Sequence, residues 1–443
     1  MIRRELHTER KQHINRALVK HVLYVALRNA LYAAIGRILF GVLKRLGKGG
    51  LRVRVIKQLS GEFFSLDPLR WAFILGGLSF FRLVKQFLSI LCGYIGVTEK
   101  VASLVAGCIC ALPSLSMNRE TRTDLSLYVF VRALYSFSVG YILPILPEPC
   151  RRFEHYDIIT MCLSASQILY SVIFAPFTMP PAYQRFLLKA AMLDDRVVRG
   201  HAGLARYQIT PELVELCVEK GLKIPQSARE HFKIGCMYSH PGMTCNRFFF
   251  SFLLKQILWV GIPLYVPLKL GSIIAFKQND LKRHPSKVLR NMLRSSFSSA
   301  LFLALYSAST VRFACFAAQG NIRGGFIFAI MCSLAGIATL LEPKGRRTDL
   351  ALYCLMYALR SFVMTQYRLG RIPYPRHDTV FLLYLVSVGF IFYQYDQEPE
   401  KLNSGVRANV AKLLMEKDTF HSRSKKKNEK STEAKVNSLN KTS

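Results

Sequence analysis

Long apolar runs alternate with short basic stretches along most of the chain. In the first half the clearest runs cover residues 69–91, 101–117, 124–146 and 158–179. In the second half they cover residues 296–318, 322–341, 349–367 and 379–395. Because a helix needs about 20 apolar residues to cross a bilayer, this pattern predicts an all-α, polytopic membrane protein.

One stretch within this pattern occurs twice. Residues 122–137 read RTDLSLYVFVRALYSF and residues 347–362 read RTDLALYCLMYALRSF, so ten of sixteen positions are identical. The copies lie 225 residues apart, about half the chain, which indicates an internal duplication. We therefore predict two tandem four-helix repeats, with about eight spans in total and additional interfacial helices.

This organisation divides the chain into four predicted parts. They are a first membrane repeat at 1–179, a polar linker at 180–235, a second membrane repeat at 236–398 and a basic disordered tail at 399–443. The linker contains short helical patterns, such as the one at residues 211–220. The tail includes the stretch SRSKKKNEK, whose composition is typical of disordered segments that are attracted to anionic lipid.

Two weaker apolar segments, 17–43 and 248–276, decide the number of spans. Both are interrupted by cations, among them Arg28 and Lys269. If neither segment spans, each half has four helices and the repeats are parallel. If both span, each half has five helices and the repeats are inverted, as in many transporters. Lys and Arg are concentrated in the N-terminus, the linker, the tail and the loops before both motif copies. This asymmetry favours eight spans, with all of these parts on the cytosolic or matrix side.

Each copy of the repeated motif also predicts how its helix begins. Thr123 and Thr348 are placed to cap a helix N-terminus. Asp124 and Asp349 follow in the first turn, where a carboxylate suits the positive end of the helix dipole. The motif is therefore predicted to mark the start of the third span in each half.

Each motif copy carries one arginine inside its apolar run, Arg132 in the first and Arg360 in the second. The equivalent positions in the opposite copies are Tyr357 and Tyr135, so arginine and tyrosine have exchanged places along one helical face. A charge inside a membrane helix is costly and usually faces protein or water. These arginines are expected either to line a polar cavity and contact an anionic head group, or to snorkel and pair with tyrosine.

Composition and charge favour a membrane over nucleic acid as the partner. The chain has 443 residues, is 51% hydrophobic with mean hydropathy +0.22, and carries a net charge of +34. The cations lie between and beside the apolar runs, as in the basic loops of membrane proteins. The expected partners are the lipid bilayer, including anionic lipids, and other membrane proteins. Arg82 and Arg312 lie near the ends of their runs and are expected to snorkel to the interface.

Most of the eleven cysteines lie within apolar runs and predict small buried side chains rather than a disulfide framework. One group differs: His231, Cys236, His240 and Cys245 in HFKIGCMYSHPGMTC are all able to ligate zinc. Their spacing is not that of a standard finger. The alternative is a juxtamembrane loop whose Cys and His side chains pack or face solvent. Apart from zinc at this position, no cofactor is expected.

Several catalytic motifs are missing from the sequence. It contains no GxxxxGK[ST], no HExxH and no GxSxG. None of the ten histidines is followed by an aspartate at the spacing HxxxxD, which many acyltransferases have. We therefore expect a protein that is not an enzyme.

Three stretches together resemble the transmembrane protein 135 family. They are CMYSHPGMTC before a span, the basic loop followed by LxLYxxxxALxS, and the closing IPYPRHDTVFLLYLVSVGFIF. The resemblance is strongest over about 231–398, and the first half fits as a degenerate copy. It implies a multi-pass membrane protein of peroxisomes or mitochondria, linked to lipid handling and mitochondrial dynamics. A more distant similarity is to the channel-forming subunits of the mitochondrial inner-membrane import translocases, whose fold is a four-helix repeat.

Two functions follow as expectations. The first is lipid or metabolite transport, or a part in peroxisome or mitochondrial dynamics. It is motivated by the duplicated bundle, the intramembrane arginines and the family resemblance. The alternative is a component or scaffold of a membrane protein-translocation machinery, which the more distant similarity favours.

Overall fold

The computed structural model describes residues 16–46, 66–95, 98–224, 236, 239–276, 278–320, 322 and 325–416. Within these ranges the structure is all-helical and has no β-strand. The chain forms two compact units. Unit 1 takes its described residues from Met1–Arg152 and Pro375–Ser443, and unit 2 takes them from Phe153–Tyr374.

The helices are numbered α1 to α18 in chain order. The first ten are α1 (Arg16–Leu46), α2 (Leu66–Leu78), α3 (Phe81–Ile95), α4 (Glu99–Ala111), α5 (Arg119–Phe137), α6 (Glu148–Arg152), α7 (Tyr156–Phe174), α8 (Pro181–Ala190), α9 (Asp195–Ala205) and α10 (Pro211–Glu219). The others are α11 (Cys245–Gln256), α12 (Ile262–Phe276), α13 (Gln278–Arg283), α14 (Pro285–Gln319), α15 (Gly325–Ser333), α16 (Lys344–Arg368), α17 (His377–Gln397) and α18 (Ser404–Leu414).

The two motif copies have the same local order of elements. In the first half, α4 continues into a 3-10 helix at Leu112–Ser116, and α5 follows. In the second half, α15 continues into a 3-10 helix at Leu334–Leu341, and α16 follows. Single π-helical turns extend α5 at Ser138–Ile142 and join α11 to α12 at Ile257–Gly261.

The first motif copy does not begin its helix. α5 starts three residues before the motif, at Arg119, because the Asn118 side chain accepts a hydrogen bond from the Thr121 N–H at 2.9 Å. Thr123 therefore lies inside the helix, where its hydroxyl donates to the Arg119 carbonyl oxygen at 2.9 Å. The prediction that Thr123 is a cap is wrong, and Asp124 lies in the second turn.

The second motif copy behaves in the same way. α16 begins at Lys344, immediately after Pro343, whose fixed φ suits the residue before a helix. The Thr348 hydroxyl donates to the Lys344 carbonyl oxygen at 3.3 Å, inside the helix. The capping prediction for Thr348 is therefore also wrong, and Asp349 lies one turn further from the helix start than expected.

The last helix of each predicted repeat packs in the unit formed mainly by the other repeat. α17, from the second half of the sequence, packs against α4 and α5 in unit 1. α7, from the first half, packs against α15 and α16 in unit 2. The compact units therefore cross the predicted repeat boundaries at 1–179 and 236–398, because each unit combines helices from both halves.

Small residues allow these helices to approach closely. A Cβ atom added to Gly107 on α4 would lie 2.7 Å from the Cα atom of Gly389 on α17. In unit 2, a Cβ atom added to Gly336 would lie 2.8 Å from the Cys162 sulfur on α7. The small residues within 101–117 therefore serve close helix packing, as predicted.

The predicted linker is folded rather than extended. Its helices α8, α9 and α10 bury apolar side chains, and α9 packs against α10. Leu204 and Leu213 belong to one core cluster together with Phe174 and Phe328 of unit 2. The short helix predicted at residues 211–220 is confirmed as α10.

The start of the predicted tail is also folded. Helix α18 buries Val406, Val410 and Leu414 in the core of unit 1. These residues recur every four positions and so form one apolar helical face. The prediction of disorder is therefore wrong for α18, and residues 417–443 lie outside the described part of the chain.

Seven described helices or continuous helical segments are long and apolar enough to cross a membrane. They are Arg16–Ile38, Glu99–Ser116, Arg119–Ile145, Tyr156–Phe174, Cys245–Ile274, Pro285–Gln319 and His377–Gln397. The number is eight if α2 and α3, which meet at an angle of 45°, form one bent span. This architecture is compatible with the polytopic membrane protein that the sequence predicts.

The two weak segments are among these candidate spans, in α1 and in α11–α12. The loop charges favour eight spans, which makes these two segments, both interrupted by cations, interfacial or re-entrant helices. The structure pairs such cations with protein groups: Arg37 with Asp67 at 3.0 Å, and Lys269 with the Ser295 hydroxyl at 2.6 Å. Conversely, α16, which carries the second motif, is not among the candidate spans in the described chain. The predicted set of eight spans therefore differs from the set that helix length and hydropathy select.

The contact between α4 and α17 can be tested by adding one methyl group. In Gly389→Ala the new Cβ atom would lie 2.5 Å from the Cys108 sulfur and 2.8 Å from the Leu104 carbonyl oxygen. We expect a loss of about 1–3 kcal/mol, as for other overpacked cores. Each kcal/mol corresponds to a fall in Tm of about 2–4 °C for a unit of this size. Far-UV circular dichroism of the purified protein in detergent measures it.

The matched control is Gly271→Ala on α12, where an added Cβ atom meets nothing within 4 Å. Alanine forms helices more readily than glycine, so the Tm of this variant should stay the same or rise. An equal fall in Tm for both variants would contradict the close contact of α4 with α17.

Candidate functional site

Three cysteines and one histidine of unit 2 come together near the C-terminal end of α14. They are Cys236, His240, Cys245 and Cys315, and their ligating atoms all lie within 4.8 Å of one another. The Cys245 sulfur is 3.9 Å from the Cys236 sulfur and 3.5 Å from His240 Nε2. The Cys315 sulfur is 3.4 Å from the same nitrogen. We call these four residues the Cys/His cluster.

The chain before α11 folds so that three of these side chains converge. The His240 N–H donates to the Cys236 carbonyl oxygen at 3.0 Å, which places the two side chains one helical turn apart. Gly242 then reverses the chain with φ +72°, a conformation that favours glycine. Thr244 caps α11, so Cys245 is the first residue of that helix. Cys315 reaches the cluster from the last turns of α14.

Neighbouring groups hold the ligating atoms in place. The Met243 carbonyl oxygen lies 3.0 Å from His240 Nδ1, which leaves Nε2 as the nitrogen facing the sulfurs. The Gln319 side-chain amide donates to the Cys245 sulfur at 3.1 Å. The His240 ring also stacks on Phe248, with 4.7 Å between centroids. The cluster is therefore oriented by a surrounding set of hydrogen bonds and ring contacts.

Three of the six separations between the ligating atoms, 3.9, 3.5 and 3.4 Å, match the edges of a tetrahedral metal site. Bonds of about 2.3 Å to sulfur and about 2.0–2.1 Å to nitrogen imply sulfur–sulfur edges of about 3.8 Å and sulfur–nitrogen edges of about 3.5 Å. Hydrogen bonding from the Cys315 and Cys245 thiols and the nearby His240 lower the pKa of the Cys236 thiol to about 6, against its burial. Metal ions bind cysteine as the thiolate, and a lowered pKa favours that form. The four residues could hold a metal ion.

The sequence identified three of these four residues. It predicted Cys236, His240 and Cys245, and the structure brings them together. His231, the fourth predicted ligand, lies outside the described residues. Cys315 was interpreted as a small core residue, because it stands alone in the apolar run of α14. No spacing pattern in the sequence connects it to a loop 70 residues away.

Arg312 lies beside the cluster, and the prediction that it snorkels to the membrane interface stays a prediction. Arg312 donates to the Asn246 side-chain oxygen on α11 at 3.0 Å. It also lines a small closed space together with Cys245 and Cys315. A positive charge therefore lies next to two of the cluster sulfurs.

The arginines and tyrosines of the repeated motif are half-buried. The Arg132 guanidinium lies over the Tyr128 ring of the same helix, 4.7 Å from its centroid, and Tyr135 lies one turn further along. In unit 2, the Tyr357 ring stacks closely on a tyrosine of α8, with centroids 3.7 Å apart. Arg360 follows on α16. Both expectations for these arginines, a polar cavity or tyrosine pairing, stay predictions.

A charged cluster in unit 1 consists of Arg82, Lys85, Asp396 and Glu416. Arg82 binds Glu416 through two hydrogen bonds of 2.7 and 2.9 Å and binds Asp396 at 2.5 Å. Lys85 also binds Asp396 at 2.5 Å, and that carboxylate is only 4% exposed. Burial opposes ionisation of Glu416, but the hydrogen bonds from Arg82 and a tyrosine outweigh it, so its pKa lies below the usual value. Arg82 is therefore paired, and the prediction that it snorkels is wrong.

A basic cavity of about 550 Å³ opens between α12, α13 and α14 of unit 2. Its polar lining includes Lys269, Asp280, His284, Lys287 and Ser295, and apolar side chains of α12 and α14 complete it. We call it the α12–α14 cavity. It combines hydrogen-bonding groups of both charges with an apolar wall.

Lys269 and Arg346 share a serine hydroxyl as hydrogen-bond acceptor at one side of this cavity. Lys269 donates to the Ser295 and Ser299 hydroxyl oxygens at 2.6 and 3.1 Å. Arg346 donates to the Ser299 hydroxyl oxygen at 2.7 Å and pairs with Glu342 at 3.0 Å. Only Glu342, which is 2% exposed, supplies a negative charge among these five residues. The group therefore retains one positive charge that an anion could neutralise.

Comparisons of the chain with protein-family models, with curated proteins and with solved structures returned no match. The resemblance of residues 231–398 to the transmembrane protein 135 family therefore stays a prediction.

The charged cluster of unit 1 can be tested with Arg82→Gln. This change leaves the buried Asp396 with a single cation and removes both hydrogen bonds to Glu416. We expect a loss of about 2–4 kcal/mol, below the upper range for a fully buried pair because Arg82 is 31% exposed. Thermal unfolding in detergent measures this loss as a lower Tm.

The control for this experiment is Arg152→Gln, which removes the same charge from an exposed pair with Glu148. Exposed pairs contribute about 0–1 kcal/mol, so its Tm should be close to that of the unchanged protein. Two variants of equal stability would show that Arg82 does not hold unit 1 together.

Proposed function

We propose that this chain is a polytopic membrane protein that binds anionic amphiphiles, such as phospholipids or related acyl metabolites. It takes part in the movement of these molecules at a peroxisomal or mitochondrial membrane. The observation that carries this proposal is the excess positive charge at the α12–α14 cavity, beside an apolar helix surface. No reaction is proposed, since the sequence contains none of the catalytic motifs searched for.

The cations in and beside the cavity fit a phosphate or carboxylate head group. Lys269 donates to two serine hydroxyls, which are neutral acceptors, and Arg346 donates to one of the same hydroxyls and pairs with Glu342. An anionic oxygen forms a shorter and stronger hydrogen bond with these cations than a hydroxyl does. Lys287 and Asp280, which also line the cavity, add one charge of each sign. Charges kept in a membrane segment despite their cost are a common sign of a ligand path.

The surface beside the cavity fits an acyl chain. Within the candidate span that comprises α11 and α12, only 6% of the residues of its most apolar window are buried. Its exposed side chains include Trp259, at 74%, and Leu268, at 61%. An apolar helix with so little protein cover has the lipid bilayer as its natural neighbour. A head group in the cavity would therefore leave its acyl chain along this surface.

The organelle is proposed from the resemblance of residues 231–398 to the transmembrane protein 135 family. A change in membrane lipid composition is also the route by which such a protein would act on organelle dynamics. Immunofluorescence of a tagged copy, combined with protease protection of its tail, tests the organelle and the orientation. A copy found at neither peroxisomes nor mitochondria would contradict this part of the proposal.

Lipid binding is tested by native mass spectrometry of the full chain with added phosphatidylglycerol or phosphatidylcholine. We expect the unchanged protein to retain the anionic lipid preferentially. Lys269→Gln and Arg346→Gln should each reduce the retained anionic lipid at least about threefold, because each removes one charged hydrogen-bond donor. The double variant should show no preference between the two lipids.

The matched control is Lys255→Gln, which removes the same charge from an exposed position on α11. Its lipid retention should equal that of the unchanged protein. Equal retention by Lys255→Gln and Lys269→Gln would contradict the assignment of the cavity. In vesicles, a Lys269→Gln protein that moves anionic lipid as fast as the unchanged protein would contradict its role in lipid movement.

A further inference from the structure

We propose that Cys236, His240, Cys245 and Cys315 hold one structural zinc ion, which fastens the start of α11 to the end of α14. Nothing in the proposed lipid binding requires this site, since the Cys/His cluster and the α12–α14 cavity share no residues. The zinc site and the lipid site can therefore be tested separately.

The geometry favours a metal over a disulfide. The sulfurs of Cys236 and Cys245 are 3.9 Å apart, about twice the bonded distance of about 2.05 Å. The sulfurs of Cys245 and Cys315 both lie near the Nε2 atom of His240, and all four ligating atoms lie within 4.8 Å of one another. One tetrahedral ion can use four such atoms, whereas a disulfide would use only two of them.

The ligand set and its burial favour zinc in a structural role. Three cysteines and one histidine form a common structural zinc set, and soft thiolate ligands disfavour magnesium and calcium. All four positions of the tetrahedron would be filled by the chain, and His240, Cys245 and Cys315 are buried. A catalytic zinc site keeps one position open for water or substrate, and this cluster has none. The four ligating atoms are also close enough for only a single ion.

The surroundings fit the charge of such a centre. Zinc with three thiolates carries one negative charge, which is costly to bury unless a cation lies near. Arg312, which lines the same closed space as Cys245 and Cys315, supplies that cation. The Met243 carbonyl and the Gln319 amide provide the outer hydrogen bonds that metal ligands typically have.

The proposed ion would connect the start of α11 to α14. The candidate span that comprises α11 and α12 packs against α14 on one side, but few of its residues are buried, so most of its surface is exposed. The ion would join three ligands at its N-terminal end to Cys315 on α14, whose adjacent residues Ala317 and Ala318 belong to the core. Zinc would thus fix the position of a helix that lipid, rather than protein, mostly surrounds.

The test uses the full chain purified in detergent without chelator, with zinc per chain measured by inductively coupled plasma mass spectrometry. We expect about one zinc ion per chain, as one closed site of this kind holds. In Cys245→Ser and Cys315→Ser the zinc content should fall at least about fivefold. The control Cys354→Ser changes another buried cysteine of unit 2 that lies outside the cluster, and it should keep its zinc.

Cobalt substitution of the unchanged protein gives a second measurement that does not depend on variants that fold. Visible bands of tetrahedral, thiolate-bound cobalt are expected. Removal of the metal should speed hydrogen exchange in residues 239–262 and leave unit 1 unchanged. Metal-free protein after purification with added zinc, an intact mass that shows a disulfide in the cluster, or octahedral cobalt bands would each overturn the proposal. Unchanged exchange on metal removal would overturn the fastening role.

Discussion

A charged side chain in a long apolar helix is costly unless the protein supplies a partner for it. The described helices supply such partners. Arg82 on α3 is bound by Asp396 on α17 and by Glu416 just after α18. Both carboxylates come from the far end of the sequence, more than 300 residues away. The pairing therefore requires α17 and α18 to pack in unit 1, although neither belongs to the first half of the chain.

The placement of α17 in unit 1 follows from this charge pairing and from close helix packing. Gly107 and Gly389 allow α4 and α17 to approach so closely that neither has room for a side chain. α17 thus meets unit 1 through a tight backbone contact and places Asp396 beside Arg82 and Lys85. A repeat in a sequence shows which helices are alike, but it contains no information on which of two similar bundles each helix joins. The pattern therefore predicted the helices and missed their partners.

The parts of the fold that sequence predicted are those set by local physics. Helix positions follow from runs of apolar residues, and the small residues of α4 indicated close packing. The errors have two different causes. Asn118, five residues before Thr123, caps α5 first, so one local capping signal outweighs another. Helix α18 is ordered by burial of Val406 and Leu414 in a core formed by earlier helices, and this contact between distant residues cannot be read from the composition of the segment itself.

The candidate metal site shows the same limit. Cys236, His240 and Cys245 lie within ten residues, so their common chemistry is visible in the sequence. Cys315 joins them only because α11 and α14 pack side by side. In a single sequence it has the same surroundings as Cys110, Cys332 and Cys354, which do serve as small core residues. A ligand from a distant helix can be recognised only once the packing is known.

The polar residues that interrupt the two weak apolar segments have different partners, and this difference is the reason why we propose unit 2 as the place of ligand binding. In α1 these residues have partners of matching charge or polarity: Arg37 binds Asp67, and the Asn29 amide donates to the Ser79 hydroxyl at 2.7 Å. In α12 the interruption is Lys269, which donates to two serine hydroxyls. Arg346 donates to one of the same hydroxyls and pairs with Glu342. A residue kept only for packing would gain stability from a directly bound carboxylate, as Arg37 does. Under the proposed function, the anionic group of a ligand would take that place beside Lys269.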